Sequence, residues 1–127
     1  MHNRSRKMKE SNYISFNGKS VEISVSLFTF KEGDVYIVYC PSLDLSGYDR
    51  DEAVAIDDFN TMLTEYLSWQ LEHGTLSADL AAHGWHLGKD KGDEPDLAEL
   101  LGRNEQLRNI VTGSFTKTNL NKTCAYA

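Results

Sequence analysis

Four side chains within residues 40–51, Cys40, Asp44, Asp49 and Asp51, are of types that can do chemistry. A cysteine becomes a nucleophile when a base or a positive charge lowers its pKa. Cys40 instead ends the apolar run Val35-Tyr36-Ile37-Val38-Tyr39-Cys40, with nothing in the sequence to set a histidine beside it. It reads as a small core residue. Three aspartates in one loop suit a divalent metal, as in nucleases that use two ions. Each acid also has a simpler use. Asp44 suits a turn after Pro41, Asp49 with Glu52 three residues on makes a capping-box variant, and Asp51 faces the positive end of a helix dipole. His83 and His86 straddle Gly84, so the two rings share no face on which to hold zinc. The chain has no phosphate-binding glycine loop and no G-x-S-x-G elbow. No catalytic constellation emerges from these residues, so no catalytic residue, no metal and no cofactor is expected.

The elements that must position these residues follow from periodicity. Val21, Ile23, Val25 and Leu27 alternate with Glu22, Ser24 and Ser26, the period of a half-buried strand. Phe28 and Phe30 fall on the other parity, which a bulge or twist near Leu27 would explain. Lys31-Glu32-Gly33-Asp34 is a turn, and the run 35–40, apolar on both parities, reads as a central strand stopped by Pro41. Tyr13-Ile14-Ser15-Phe16 supplies a further strand. A helix should begin at an Asp49 cap and run to Glu72 or His73, with Gly74 beyond it. Its apolar side carries Ile56, Phe59, Leu63, Tyr66, Leu67 and Leu71, and Met62 and Trp69 widen the arc beyond one sheet contact. A short helix capped by Ser77 and stopped by Gly84, a strand at 85–87, a charged loop at 89–94 and a helix opened by Pro95 or Asp96 follow. A second short helix follows Gly102, and Gly113 ends it. Residues 115–127 read as either an edge strand or a flexible arm, with Leu120, Cys124 and Tyr126 on even positions.

The 127 residues suit one domain, and apolar and charged fractions of 40% and 25% are those of a soluble globular protein. With two cysteines, no long apolar run and no apolar segment after the basic N-terminal residues, a cytoplasmic protein without a membrane span or secretory signal is expected. The net charge of −6 is unevenly spread. Arg4, Arg6, Lys7 and Lys9 against Glu10 make residues 1–10 basic, and Arg103, Arg108, Lys117 and Lys122 against Glu105 do the same for 103–127. The middle is strongly acidic, so it repels nucleic-acid phosphates and favours basic partners. Within 34–58, Asp34, Asp44, Asp49, Asp51, Glu52, Asp57 and Asp58 face Arg50 alone.

The order of strand 21–30, turn, strand 35–40, "PSLDLSGYDRDEA", long helix and "HGWHL" resembles the antitoxins of the HicB family. The family pattern of a strand, "P-x-L", a Gly-containing loop and a helix opening with "E-A" is met by Pro41, Leu43, Gly47, Glu52 and Ala53. The resemblance covers about residues 20–88. It implies an α+β fold: a small antiparallel sheet, strand-strand-strand-helix-strand and partly ribonuclease H-like, with one long helix on a face and a short helical C-terminal extension. It divides the chain into a basic arm (1–12), the α+β domain (13–88) and the extension (89–127). It also implies a non-enzymatic role, in which the protein binds and neutralises a small basic RNA-cleaving toxin of the HicA type. The acidic segment, with Asp44, Tyr48, Asp49, Asp51, Asp57 and Asp58, is the expected contact surface, Tyr36 and Tyr39 being either anchors or core. Met62 and Trp69 are expected to meet the tail or a second copy in a homodimer. Many family members also bind operator DNA through a C-terminal module, and here Pro95, Gly102 and Gly113 leave little recognition helix, so DNA binding stays open. Two alternatives stand beside this reading: a transcriptional regulator using the basic ends, and a metal-dependent nuclease-like enzyme with its site in the 41–51 loop.

Overall fold

The computed structural model describes residues 12–125, so the basic arm lies almost wholly outside the described residues, as does Tyr126. The first half contains strands β1 (Tyr13–Phe16), β2 (Ser20–Glu32), β3 (Val35–Cys40) and β4 (Leu45–Asp49), then helix α1 (Glu52–His73). The second half contains α2 (Leu76–Ala82), β5 (His86–Leu87), β6 (Lys91–Asp93), α3 (Leu97–Arg103), α4 (Glu105–Ile110) and β7 (Thr116–Ala125). The α+β class holds, but the sheet is larger than expected: seven antiparallel strands, with four helices, among the described residues. Residues 91–93 and 116–125 return to it, β6 beside β1 and β7 beside β2.

Strand β2 organises the sheet. Ile23 pairs with Ile14 of β1 and with Lys122 of β7, and Phe28 pairs with Tyr39 of β3 and with Lys117 of β7. A strand has two edges, so β7 holds one along its length while β1 and β3 share the other, end to end. The sheet therefore forks. One arm is β3-β4, the other β1-β6-β5.

Between the arms the Ser26 amide would lack a ladder partner, and a buried amide left so costs about 1–3 kcal/mol. Glu94, only 9% exposed, fills the gap. Its Oε2 accepts from the Ser26 backbone N–H (3.0 Å) and the Ser42 hydroxyl (2.5 Å). Its Oε1 accepts from the Ser26 hydroxyl (2.9 Å) and Asn12 Nδ2 (2.8 Å). Ser24 donates in turn to Asn12 Oδ1 (2.7 Å), so Ser24 and Ser26 are buried rather than turned to water.

The unbroken β2–β7 register removes the bulge expected near Leu27. Phe28 and Phe30 keep the parity of Ser24 and Ser26 and face the opposite side of the sheet from Val21, Ile23, Val25 and Leu27. There Phe28 and Tyr39 meet Leu100, Leu107 and Ile110 in a second core under α3 and α4. The larger core lies on the other face, where Val25, Leu27 and Val38 pack with Phe59, Leu63, Leu67, Leu80 and Trp85. Each large apolar side chain buried contributes about 1.5–3 kcal/mol before conformational entropy is subtracted.

Residues 41–51 are not simply a reversing loop. They include β4, whose Gly47 pairs with Val38 and lets α1 lie close on the sheet. A methyl at Gly47 would stand 2.3 Å from the Phe59 amide nitrogen and 2.8 Å from the Ala55 carbonyl oxygen. The helix starts later than expected. Its N-cap is Asp51, accepting from the Val54 N–H (3.1 Å), whereas Asp49 Oδ1 accepts from the Asp51 N–H (3.0 Å) and shapes the turn before it. Gly74, at φ 66°, ends the helix as expected. Ile56, assigned to the apolar side, is exposed because the buried stripe runs in four-residue steps through Ala55, Phe59, Leu63 and Leu67, one position away from it. The short helix 76–82 is preceded by Thr75 rather than Ser77, without a side-chain cap. The full capping box belongs to Asp96 and Glu99.

Two substitutions test this account. Gly47→Ala must push α1 off β4 and should cost about 3 kcal/mol or more in urea unfolding. Glu94→Ala leaves the Ser26 amide and the two serine hydroxyls without their acceptor and should cost about 2–4 kcal/mol; a loss under about 0.5 kcal/mol would show that the fork closes without it.

Candidate partner-binding surface

The acidic residues singled out from sequence separate into two places. Tyr48, Asp49, Asp51, Asp57 and Asp58 gather where β4 turns into α1. Tyr48 is 64% exposed, its ring on the face of the sheet away from α1, because its cross-strand partner Ile37 shares parity with Tyr39. The Tyr48 backbone N–H donates to Asp58 Oδ2 (3.1 Å), which closes that point of the β4 edge with a helix side chain. Asp51 and Asp57 are exposed, Asp49 and Asp58 half-buried. Arg50, the lone base in this stretch, reaches back to Asp34 at 3.6 Å, an exposed pair that leaves the other carboxylates uncompensated.

Asp44 stands at the other end of β4, roughly 15 Å away along the strand. It holds φ 56°, an uncommon conformation outside glycine. Its Oδ1 accepts from the Tyr39 hydroxyl (2.9 Å), which accepts from Asn104 Nδ2 (2.9 Å). Asn104 Oδ1 caps α4 by accepting from the Leu107 N–H (2.9 Å). This chain borders a cavity of about 320 Å³ that His83 and Arg103 also line. Burial pushes the Tyr39 phenol up to about 12, with the Asn104 hydrogen bond opposing the rise and the Asp44 carboxylate adding to it. Tyr39 is thus core and not an anchor, while Tyr36 is half-buried with Lys31 Nζ 5.2 Å above its ring.

The aspartates of 41–51 therefore do not converge. Among the described residues no group of three or more His, Cys, Asp or Glu side chains is placed to hold a metal ion. His83 Nδ1 lies 2.8 Å from the Asp79 carbonyl oxygen, and His86 Nε2 lies 2.8 Å from Glu99 Oε2, so the two rings serve different elements. Cys40 is fully buried. Burial first, then the negative charge of Glu94, pushes its thiol up to about 12. Among the described residues no helix is long and apolar enough to cross a membrane.

Met62 and Trp69 are exposed on one flank of α1, Trp69 at 54% with its ring stacked on His73 at 3.9 Å. Strand β7 touches the opposite flank, through Lys122 Nζ to Asn60 Oδ1 (3.0 Å) and Cys124 beside Ser68 (4.0 Å). Sequence reasoning passed over Glu94 as part of a charged loop. The available signal was weak: Ser24 and Ser26 on a long apolar strand imply either water or a buried polar partner, and spacing does not say which.

Thiol chemistry and alkaline stability check these environments. Under native conditions a maleimide should label one equivalent of thiol, Cys124, and in denaturant two. The unfolded chain releases the Cys40 proton near 9.0 and the Tyr39 proton near 10.0, the folded chain only near 12. Stability is therefore fully present below about pH 9 and falls as pH rises toward 12. In Cys40→Ala, less stable overall, the decline should begin nearer pH 10; an unchanged onset in urea unfolding would contradict the thiol's assigned burial.

No family model matches the chain, and no curated protein or solved structure matches it.

Proposed function

We propose that this chain is a protein-binding module that captures a small basic protein at the β4–α1 junction. Its partner is the RNA-cleaving toxin of the HicA type that the resemblance to HicB antitoxins implies. The partial ribonuclease H-like description of the fold belongs to the same proposal, as does a cytoplasmic setting. One observation supports the reading above others: a 64% exposed Tyr48 on the edge strand, its backbone amide held by Asp58, with Asp49 and Asp51 in the turn beyond it, Asp57 exposed on the helix, and the neighbouring base turned to Asp34. An aromatic ring gives a partner a low-entropy anchor, and the carboxylates of the same junction speed encounter with a cationic surface and select against acidic ones.

Tyr48 and Asp57 suit a test because neither side chain makes a hydrogen bond to another described residue, so replacing them leaves the fold alone. Against a purified toxin of this class, Tyr48→Ala should weaken binding about tenfold or more. Asp57→Lys should slow association at low salt, with the difference shrinking as ionic strength rises. Co-expression with the toxin should restore growth. Absence of binding and of rescue across toxins of this class would end the proposal. Salt-sensitive binding to DNA alone would favour a regulator instead.

A further inference from the structure

We propose that β7 is an intersubunit edge, through which two copies of the chain pair antiparallel about a twofold axis at Leu120 and join their sheets into one.

The hydrogen-bonding direction of β7 follows from the fork. The Ser26 N–H points to Glu94, away from β7. Alternation along a strand then directs the N–H groups of Val25 and Leu27 to β7, where their partners are Leu120 and Thr118. The residues between, Lys117, Asn119, Asn121 and Thr123, turn their N–H and C=O groups outward. Among the described residues none of those four amides has an acceptor. An open row of this length is a template for another strand. The remaining outer edges are shorter or covered: β5 has two residues, and Asp58 takes the Tyr48 amide on β4.

The side chains favour a second copy as the occupant. With Leu120 facing the partner's Leu120, Asn119 meets the partner's Asn121, and Lys117 meets the partner's Thr123. Thr118 meets the partner's Lys122. No lysine opposes a lysine, and β7 carries no acid. Outward residues meet outward residues, which gives about eight backbone hydrogen bonds across the axis. Leu120, half-buried against the larger core, gains an apolar neighbour on the α1 face. This contact leaves Tyr48 and its carboxylates untouched, so it stands or falls apart from toxin binding.

Sedimentation velocity of the full chain at about 100 μM, enough to saturate a micromolar interface, should give twice the 14.3 kDa chain mass. Asn121→Pro removes an outward donor while sparing the bonds to β2, and should yield a monomer with an unchanged far-ultraviolet spectrum. Should that variant misfold, Leu120→Cys combined with Cys124→Ser decides the matter. Residue 120 sits at a non-hydrogen-bonded site, where opposed Cα atoms are about 4.5 Å apart and oxidation should link two chains. A wild-type monomer, a dimer that survives Asn121→Pro, or a dimer whose Leu120→Cys form fails to cross-link would overturn the proposal. So would capture of a different protein's strand by β7 with no self-association.

Discussion

The bond from the Ser26 amide to the Glu94 carboxylate, at the point where β1 and β3 part, is the contact on which the shape of the sheet depends. Strand β2 has thirteen residues, more than either neighbour on that edge can cover. Without a substitute for the missing strand, a buried amide would go unpaired or water would enter between two apolar layers. Glu94 supplies two oxygens to four donors drawn from β2, from Asn12 before β1 and from Ser42 after β3. Trp85 Nε1 donates to the Ser42 carbonyl oxygen (2.9 Å), carrying the polar connection into the larger core. A carboxylate suits the place because it accepts along several directions and donates nothing that would need a partner of its own.

The fork allows a 127-residue chain to build two cores on opposite faces of one sheet. The odd residues of β2 feed the layer under α1 and α2, and its even residues run from polar Ser24 and Ser26 to apolar Phe28 and Phe30. The polar stretch lies at the fork, and the apolar one beneath α3 and α4. Tyr39 ties that second layer to the turn after β3, since its hydroxyl joins Asp44 to Asn104. Gly47 performs a comparable task on the other face by allowing helix backbone to approach strand backbone where any Cβ would collide.

These constraints sort the acids. Asp44, Asp51 and Asp58 each hold a hydroxyl or a backbone amide in place, yet Asp51 stays exposed and Asp58 half-exposed. One residue can therefore shape the β4–α1 junction and still present charge to a partner. Asp57 has no such internal duty. A surface whose charges are fixed by the turns that create it is preorganised, so the proposed cationic partner would not have to order it first.

Periodicity and turn chemistry by themselves determined the strands at 13–16, 21–30 and 35–40 and the long helix ending at Gly74. All are local: each rests on residues within one or two turns of one another, where side-chain spacing acts directly on the backbone. Tertiary structure alone decided the rest. Strand β4 carries Ser, Gly and Asp and has little strand propensity, and it exists because β3 and α1 enclose it. The cap moved from Asp49 to Asp51 because the end of β4 extends to Asp49. The terminal stretch became a strand because β2 offers it ten partners. Glu94 lies 68 residues from the amide it satisfies, and a bond over that separation leaves no local trace in the chain.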